Sequence, residues 1–151
     1  MLAEGTAAPD FQLGDLRLTE ALKSGPMLLA FFKISCPTCQ LAMPFLQRLA
    51  DAAGPESPRL VAISQDNATA TGQFAAHFRI GLETLLDEAP GYRVSNLYGL
   101  RNVPTLYLIE PDGCISMAMS GFSKAHLEAL GERYGGSPFR PGEQVPAMRP
   151  G

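Results

Sequence analysis

Met27-Leu28-Leu29-Ala30-Phe31-Phe32-Lys33-Ile34-Ser35-Cys36-Pro37-Thr38-Cys39 is the stretch that decides the fold. Its apolar run, interrupted only by Lys33, follows the turn signal Ser24-Gly25-Pro26. A run of this length between turn signals predicts a strand buried on both faces. Beyond it, residues 36–53 predict a helix, because Leu41, Phe45 and Leu49 recur at i, i+4 and i+8 on one face. Pro44 predicts a kink in that helix, and Gly54-Pro55 ends it. The pair Cys36 and Cys39 therefore falls at a strand-to-helix junction. Two cysteines three apart at a helix start lie on adjacent turns, so their sulfurs can close a small ring. The first stands where unpaired N–H groups and the positive end of the helix dipole favour an anion, here a thiolate. Pro37 suits the first helical position, where its missing N–H would be unpaired anyway.

Working outward, residues 2–18 predict an irregular entry with a short hairpin, and residues 19–22 one helical turn. Residues 60–63 form a second short apolar run. Asp66 or Asn67 can cap a helix reaching Phe78, with Phe74 and Phe78 at i, i+4. Residues 82–86 predict a strand, 90–98 a short helix and 105–109 another strand. Pro111-Asp112-Gly113 is a turn, and residues 114–119 supply the returning strand of a hairpin. Ser123 caps a last helix with Leu127, Leu130 and Tyr134 on one face. Strands alternating with helices, then a closing hairpin and helix, predict an α/β sandwich.

The chain has 151 residues, 12 basic and 15 acidic side chains and 46% hydrophobic residues. That length suits one domain with a substantial core. Three cysteines are too few for a disulfide-dependent scaffold. The slightly acidic balance, with no dense Lys/Arg stripe, argues against nucleic-acid binding. The longest apolar run is seven residues, Pro26 to Phe32, against the roughly 20 needed to span a bilayer. Glu4 and the lack of an apolar h-region predict a chain without an export signal, cytoplasmic as it stands and periplasmic or extracytoplasmic if a leader or anchor has been removed. Eight of the 28 Gly and Pro residues fall in residues 135–151, so the chain divides into a domain over residues 1–134 and a Gly/Pro-rich tail expected to be extended or disordered, with few anchors.

A lone C-x-x-C has several meanings. Half a zinc site needs two further ligands, and the remaining candidates Cys114, His77 and His126 have no paired spacing. Haem attachment would require His at position 40, where Gln40 stands. Two buried, inert cysteines are a further alternative. The order strand, motif, helix favours a redox dithiol. Lys33 reads either as a strand-end residue reaching solvent or as electrostatic support for the thiolate. Cys114, after a hairpin turn, reads as a packing residue more readily than as a third redox thiol.

The segment Phe31 to Cys39, with Pro44 five residues on, resembles the active-site segment of the thioredoxin superfamily. Val103-Pro104-Thr105 resembles that superfamily's cis-proline segment. Gly5-Thr6-Ala7-Ala8-Pro9-Asp10-Phe11 resembles the opening of its redoxin branch, which includes the TlpA/ResA-like thiol-disulfide oxidoreductases and the peroxiredoxins (the AhpC/TSA-like domain). Residues 98–105 and Pro111-Asp112-Gly113 match the same branch, so the likeness spans residues 5–134. It implies an α/β, thioredoxin-like three-layer sandwich, with a central mixed sheet flanked by helices and an insertion near residues 66–90. It also implies roles: Cys36 as attacking thiolate, Cys39 as resolving thiol, and Val103 and Pro104 as the substrate groove. The redox group would be the cysteine pair itself, with no added cofactor and no metal. Partners would be a protein or small-molecule disulfide and an external dithiol or thiol, for a monomeric enzyme.

The sequence departs from that pattern in places. The usual Trp before the first cysteine is replaced by Ile34-Ser35, and the chain has no Trp. Pro37-Thr38 replaces the Gly-Pro of thioredoxin. Ala30 stands where thioredoxin keeps a buried Asp, and Ala42 where ResA-like proteins keep a Glu, so neither acid is there to take the Cys39 proton. Two other functions share the fold. A peroxiredoxin-like thiol peroxidase places Thr or Ser three residues before its reactive cysteine, where this chain has Lys33. A metal-carrying redoxin uses C-x-x-x-C and a distant His, a spacing one residue longer than that here.

Overall fold

The computed structural model describes residues 1–151. Chain order is β1 (Gln12–Leu13), β2 (Leu16–Arg17), α1 (Leu18–Leu22), β3 (Met27–Phe32), α2 (Pro37–Ala52), β4 (Arg59–Ser64), α3 (Ala68–Phe78) and β5 (Glu83–Leu86). It continues with α4 (Arg93–Leu97), β6 (Thr105–Ile109), β7 (Ile115–Ser120), β8 (Phe122–Ser123), α5 (Lys124–Tyr134) and β9 (Met148–Arg149). Five strands form one mixed sheet in the order β5-β4-β3-β6-β7. Strands β3, β4 and β5 run parallel, while β6 is antiparallel to β3 and β7 to β6.

The strand read from the decisive stretch is the middle one, and all six of its residues are buried. The twofold alternation of a strand divides them between two cores. Leu28, Ala30 and Phe32 join the side that holds Met43, Leu46 and Leu49 of α2, Phe74 of α3, and Leu127 and Leu130 of α5. Met27, Leu29 and Phe31 join the opposite side, with Leu18 and Leu22 of α1 and Val94 of α4. Helices thus cover both faces, giving the expected three layers. Each large apolar side chain buried this way contributes about 1.5–3 kcal/mol of transfer free energy.

Residues 66–90 contribute α3 and β5, and β5 extends the sheet beside β4 with Ile63 opposite Leu85. Asn67, not Asp66, caps α3, its side chain accepting from the amide of Ala70 at 2.8 Å. Ser123 caps α5 by accepting from the amide of His126 at 3.3 Å. In the turn between β6 and β7, the Asp112 carboxylate accepts from the amide of Cys114, and Gly113 takes φ 85°. Pro44 lies inside α2 without dividing it.

Residues 135–151, expected to have few anchors, carry only the two-residue strand β9, yet they are held to the body. The Phe139 ring stacks 4.8 Å from Phe45, and Phe139 and Val145 both pack on the α2 side of the core. Arg48 donates to both carboxylate oxygens of Glu143, at 2.7 and 2.9 Å, and to the carbonyl of Pro138 at 3.0 Å. The anchors escape a composition-based reading because their partners stand 90 and 95 positions away on α2.

Candidate active site at the start of helix α2

Strand β3 delivers the chain to residues 33–35, which turn it into α2. Cys36 is the N-cap, with extended backbone angles, and Pro37 follows inside the first turn. The amide of Cys39 donates to the Cys36 sulfur at 3.3 Å, so a free helix-end N–H points at the group that carries the charge in a thiolate. The Cys36 thiol donates in turn to the carbonyl of Val103, also at 3.3 Å. Both cysteines are free; Cys36 is half-buried, whereas Cys39 is 0% exposed.

That difference in burial sets the chemistry of the pair. Burial pushes the Cys39 thiol far up, the neighbouring main chain of Lys33 opposes this, and Cys36 and the Asp66 carboxylate push further upward. Cys39 therefore stays a protonated thiol until a base reaches it, while Cys36 keeps partial access to solvent. Ala30 and Ala42 are fully buried in the same core as Cys39, so neither offers an acid there.

Two residues to which the sequence assigned no part at the site hold the turn. The Asp66 carboxylate accepts from the amide of Ile34 at 2.8 Å, and the Gln40 amide donates to the Ile34 carbonyl at 3.0 Å. Asp66 had a visible signal as a helix-cap candidate, but its bond is to the motif loop 32 positions away. Between the cysteines, the hydroxyl of Thr38, 5% exposed, donates to the carbonyl of Pro150 at 2.7 Å.

Opposite the dithiol, the Val103–Pro104 peptide is cis, Val103 is half-buried and Pro104 is buried. The carbonyl of Pro104 accepts from the amide of Gly121. Lys33 lies near the motif in sequence, but its ammonium sits 5.5 Å above the Tyr92 ring. Cys114 precedes β7 at the other end of the sheet, since Ile115 pairs with Ile109 and Ile109 with Met27 at the start of β3. His126 contacts its own cap, Ser123, and His77 lies edge-on to Phe78. No group of three His, Cys, Asp or Glu side chains stands together as a metal site. No helix is long and apolar enough to cross a membrane.

A dithiol at a helix start, in contact with the Val103–Pro104 loop at the same end of a helix-flanked mixed sheet, defines a thioredoxin-like redox protein. Residues 4–118 match the AhpC/TSA family model, and the chain belongs to the AhpC/TSA family. A relative is the thiol-disulfide oxidoreductase ResA of Geobacillus thermodenitrificans (strain NG80-2), 28% identical over 85% of this chain and 79% of that protein. A Chlorobium tepidum structure assigned as a thiol:disulfide interchange protein DsbE is 28% identical, with TM-score 0.68 over 88% of this chain and 96% of the other. The thioredoxin domain of thiol-disulfide oxidoreductase BVU-2223 from Bacteroides vulgatus shares the fold, with TM-score 0.71 and 19% identity over 81% and 91% of the two chains. The protein is an oxidoreductase of the ResA/DsbE thiol-disulfide type.

Proposed function

We propose that Cys36 is the attacking thiol and Cys39 the resolving thiol in exchange with protein disulfides, and that Val103 and Pro104 form the edge on which the substrate chain lies. The observation that supports this is the asymmetry of the pair: a half-buried N-cap cysteine whose sulfur is bonded by a helix-end amide, and a fully buried partner in the first turn. The Cys36 thiolate attacks one sulfur of the substrate disulfide. A mixed disulfide forms and the other substrate sulfur leaves as a thiolate. That thiolate takes the proton of Cys39. The Cys39 thiolate then attacks the Cys36 sulfur, closing the Cys36–Cys39 disulfide and releasing the second substrate thiolate. Two electrons pass from the dithiol to the substrate, and an external dithiol returns them by the same two exchanges in reverse. The cysteine pair is the redox group, so no bound cofactor enters the cycle.

Lys33 is not given a part in this scheme, because its ammonium is engaged by the Tyr92 ring. The test is a paired assay of the purified, reduced chain. It is expected to reduce insulin with dithiothreitol as electron source and to consume hydrogen peroxide slowly. Rapid peroxide consumption without insulin reduction overturns the proposal in favour of a thiol peroxidase.

A further inference from the structure

We propose that residues 147–151 are an internal occupant of the substrate edge, standing where an extended polypeptide pairs, so that a protein disulfide reaches Cys36 only after displacing them. The inference rests on the assignment of Cys36 as attacking thiol and Val103 as part of the substrate edge.

The segment runs up to the dithiol through main-chain contacts. The amide of Lys124 donates to the carbonyl of Ala147 at 2.9 Å, and β9 pairs antiparallel with β8, Met148 opposite Ser123 and Arg149 opposite Phe122. The Pro150 carbonyl takes the hydroxyl of Thr38, the residue between the two cysteines. Gly151 then lies so close to the carbonyl of Val103 that a Cβ there would collide with its oxygen. That oxygen is the acceptor of the Cys36 thiol. The approach to Gly121 is equally tight: a Cβ on Gly121 would meet the Arg149 carbonyl. The end of the segment therefore touches both the dithiol motif and the loop facing it.

The way it is held suits a displaceable cover. All five residues are exposed, Met148 by 72%, and no ion pair fixes Arg149. Backbone pairing, one hydroxyl-to-carbonyl bond and close glycine contacts are interactions that any extended chain with small residues can copy. Just upstream, Phe139, Glu143 and Val145 fasten the chain to α2, which keeps a high local concentration of the segment at the edge. The class of competitor is thus an extended polypeptide around a disulfide. A small disulfide needs only the sulfur of Cys36.

The experiment compares the full chain with a variant ending after Pro146, which keeps Phe139, Glu143 and Val145. Rates are measured on insulin and on the small aromatic disulfide dithiobis(nitrobenzoate). The deletion is expected to raise the insulin rate about threefold or more, with the small disulfide changing by less than about twofold. A synthetic peptide of residues 145–151 added to the shortened chain is expected to slow insulin reduction again. Gly151→Leu, an exposed substitution whose side chain meets Val103, is expected to act in the same direction without touching the core. An unchanged or lower insulin rate in both variants, or equal gains on both disulfides, overturns the proposal. A full chain inert toward both disulfides instead refutes the oxidoreductase assignment beneath it.

Discussion

The thiol of Cys36 donates to the main-chain carbonyl of Val103 at 3.3 Å, joining two segments 67 positions apart at the point where chemistry is proposed. Each side comes from a different strand of the sheet: Cys36 follows the end of β3, and Val103 precedes the start of β6. Phe31 of β3 pairs with Thr105 of β6, so the register of the sheet fixes the separation of the dithiol from the facing loop.

The unequal burial of the two cysteines makes their serine variants unequal. Cys36→Ser is expected to abolish insulin reduction. Cys39→Ser is expected to accumulate a mixed disulfide with the substrate, seen as a shifted band on a non-reducing gel. A fully active Cys39→Ser enzyme would refute a dithiol cycle.

The negative charge of Asp66 helps keep the Cys39 thiol protonated. In a Cys36→Ser background, Asp66→Asn is therefore expected to lower the pH midpoint for alkylation of Cys39 by iodoacetamide. The amide oxygen of Asn can still accept from Ile34, so the loop is retained. An unchanged or higher midpoint counts against this electrostatic role.

Glu143 ties the terminal segment to α2, and the Arg48 guanidinium holds its carboxyl down from the ordinary 4.5 to about 2. A carboxylate with a depressed folded-state value stabilises the fold above its ordinary value, and this contribution is lost as pH falls through the folded value. Glu143→Gln is accordingly expected to be less stable than the parent near neutral pH, with the difference shrinking from about pH 4.5 to about pH 2. Urea unfolding at a series of pH values measures it. A pH-independent difference would show that packing, not charge, accounts for the effect.

Asp87 is buried, and its carboxylate accepts from the amides of Val94 and Ser95 and from the Ser95 hydroxyl, at 3.1, 2.7 and 2.8 Å. These bonds satisfy the start of α4 from outside the helix. Asp87→Ala strands three donors and is expected to cost about 2–3 kcal/mol in chemical unfolding, with Asp87→Asn losing less. A loss below about 0.5 kcal/mol would mean water replaces the carboxylate.

What could be read in advance was whatever neighbouring residues encode. The buried strand, the N-cap cysteine with Pro37 behind it, the Asn67 and Ser123 caps and the turn at Gly113 all depend on residues a few positions apart. The C-x-x-C spacing was legible for the same reason, whereas Pro104 was singled out only by the resemblance of Val103-Pro104-Thr105 to a family segment. Asp66 and Thr38 were not legible, because their partners are main-chain atoms 32 and 112 positions away, and Gln40 was not, because a side-chain bond to the carbonyl of the preceding turn leaves no periodic signal. The terminal segment misled for a related reason. Its glycines and prolines announce irregular backbone, but whether irregular backbone docks depends on Phe45 and Arg48, which face it from α2, far back along the chain.

The burial of every β3 side chain divides the site by stability. Amides in a central strand with both faces covered exchange with solvent only when the whole molecule opens, whereas a two-residue strand with both residues exposed, such as β9 on β8, opens locally at little cost. The turn that carries the sulfurs thus leads directly out of that slow-opening strand, while residues 147–151 beside it belong to a pairing that opens readily. Hydrogen exchange should therefore see two clocks within a few ångströms of Cys36, so that the edge can change occupants many times while the thiols keep their geometry.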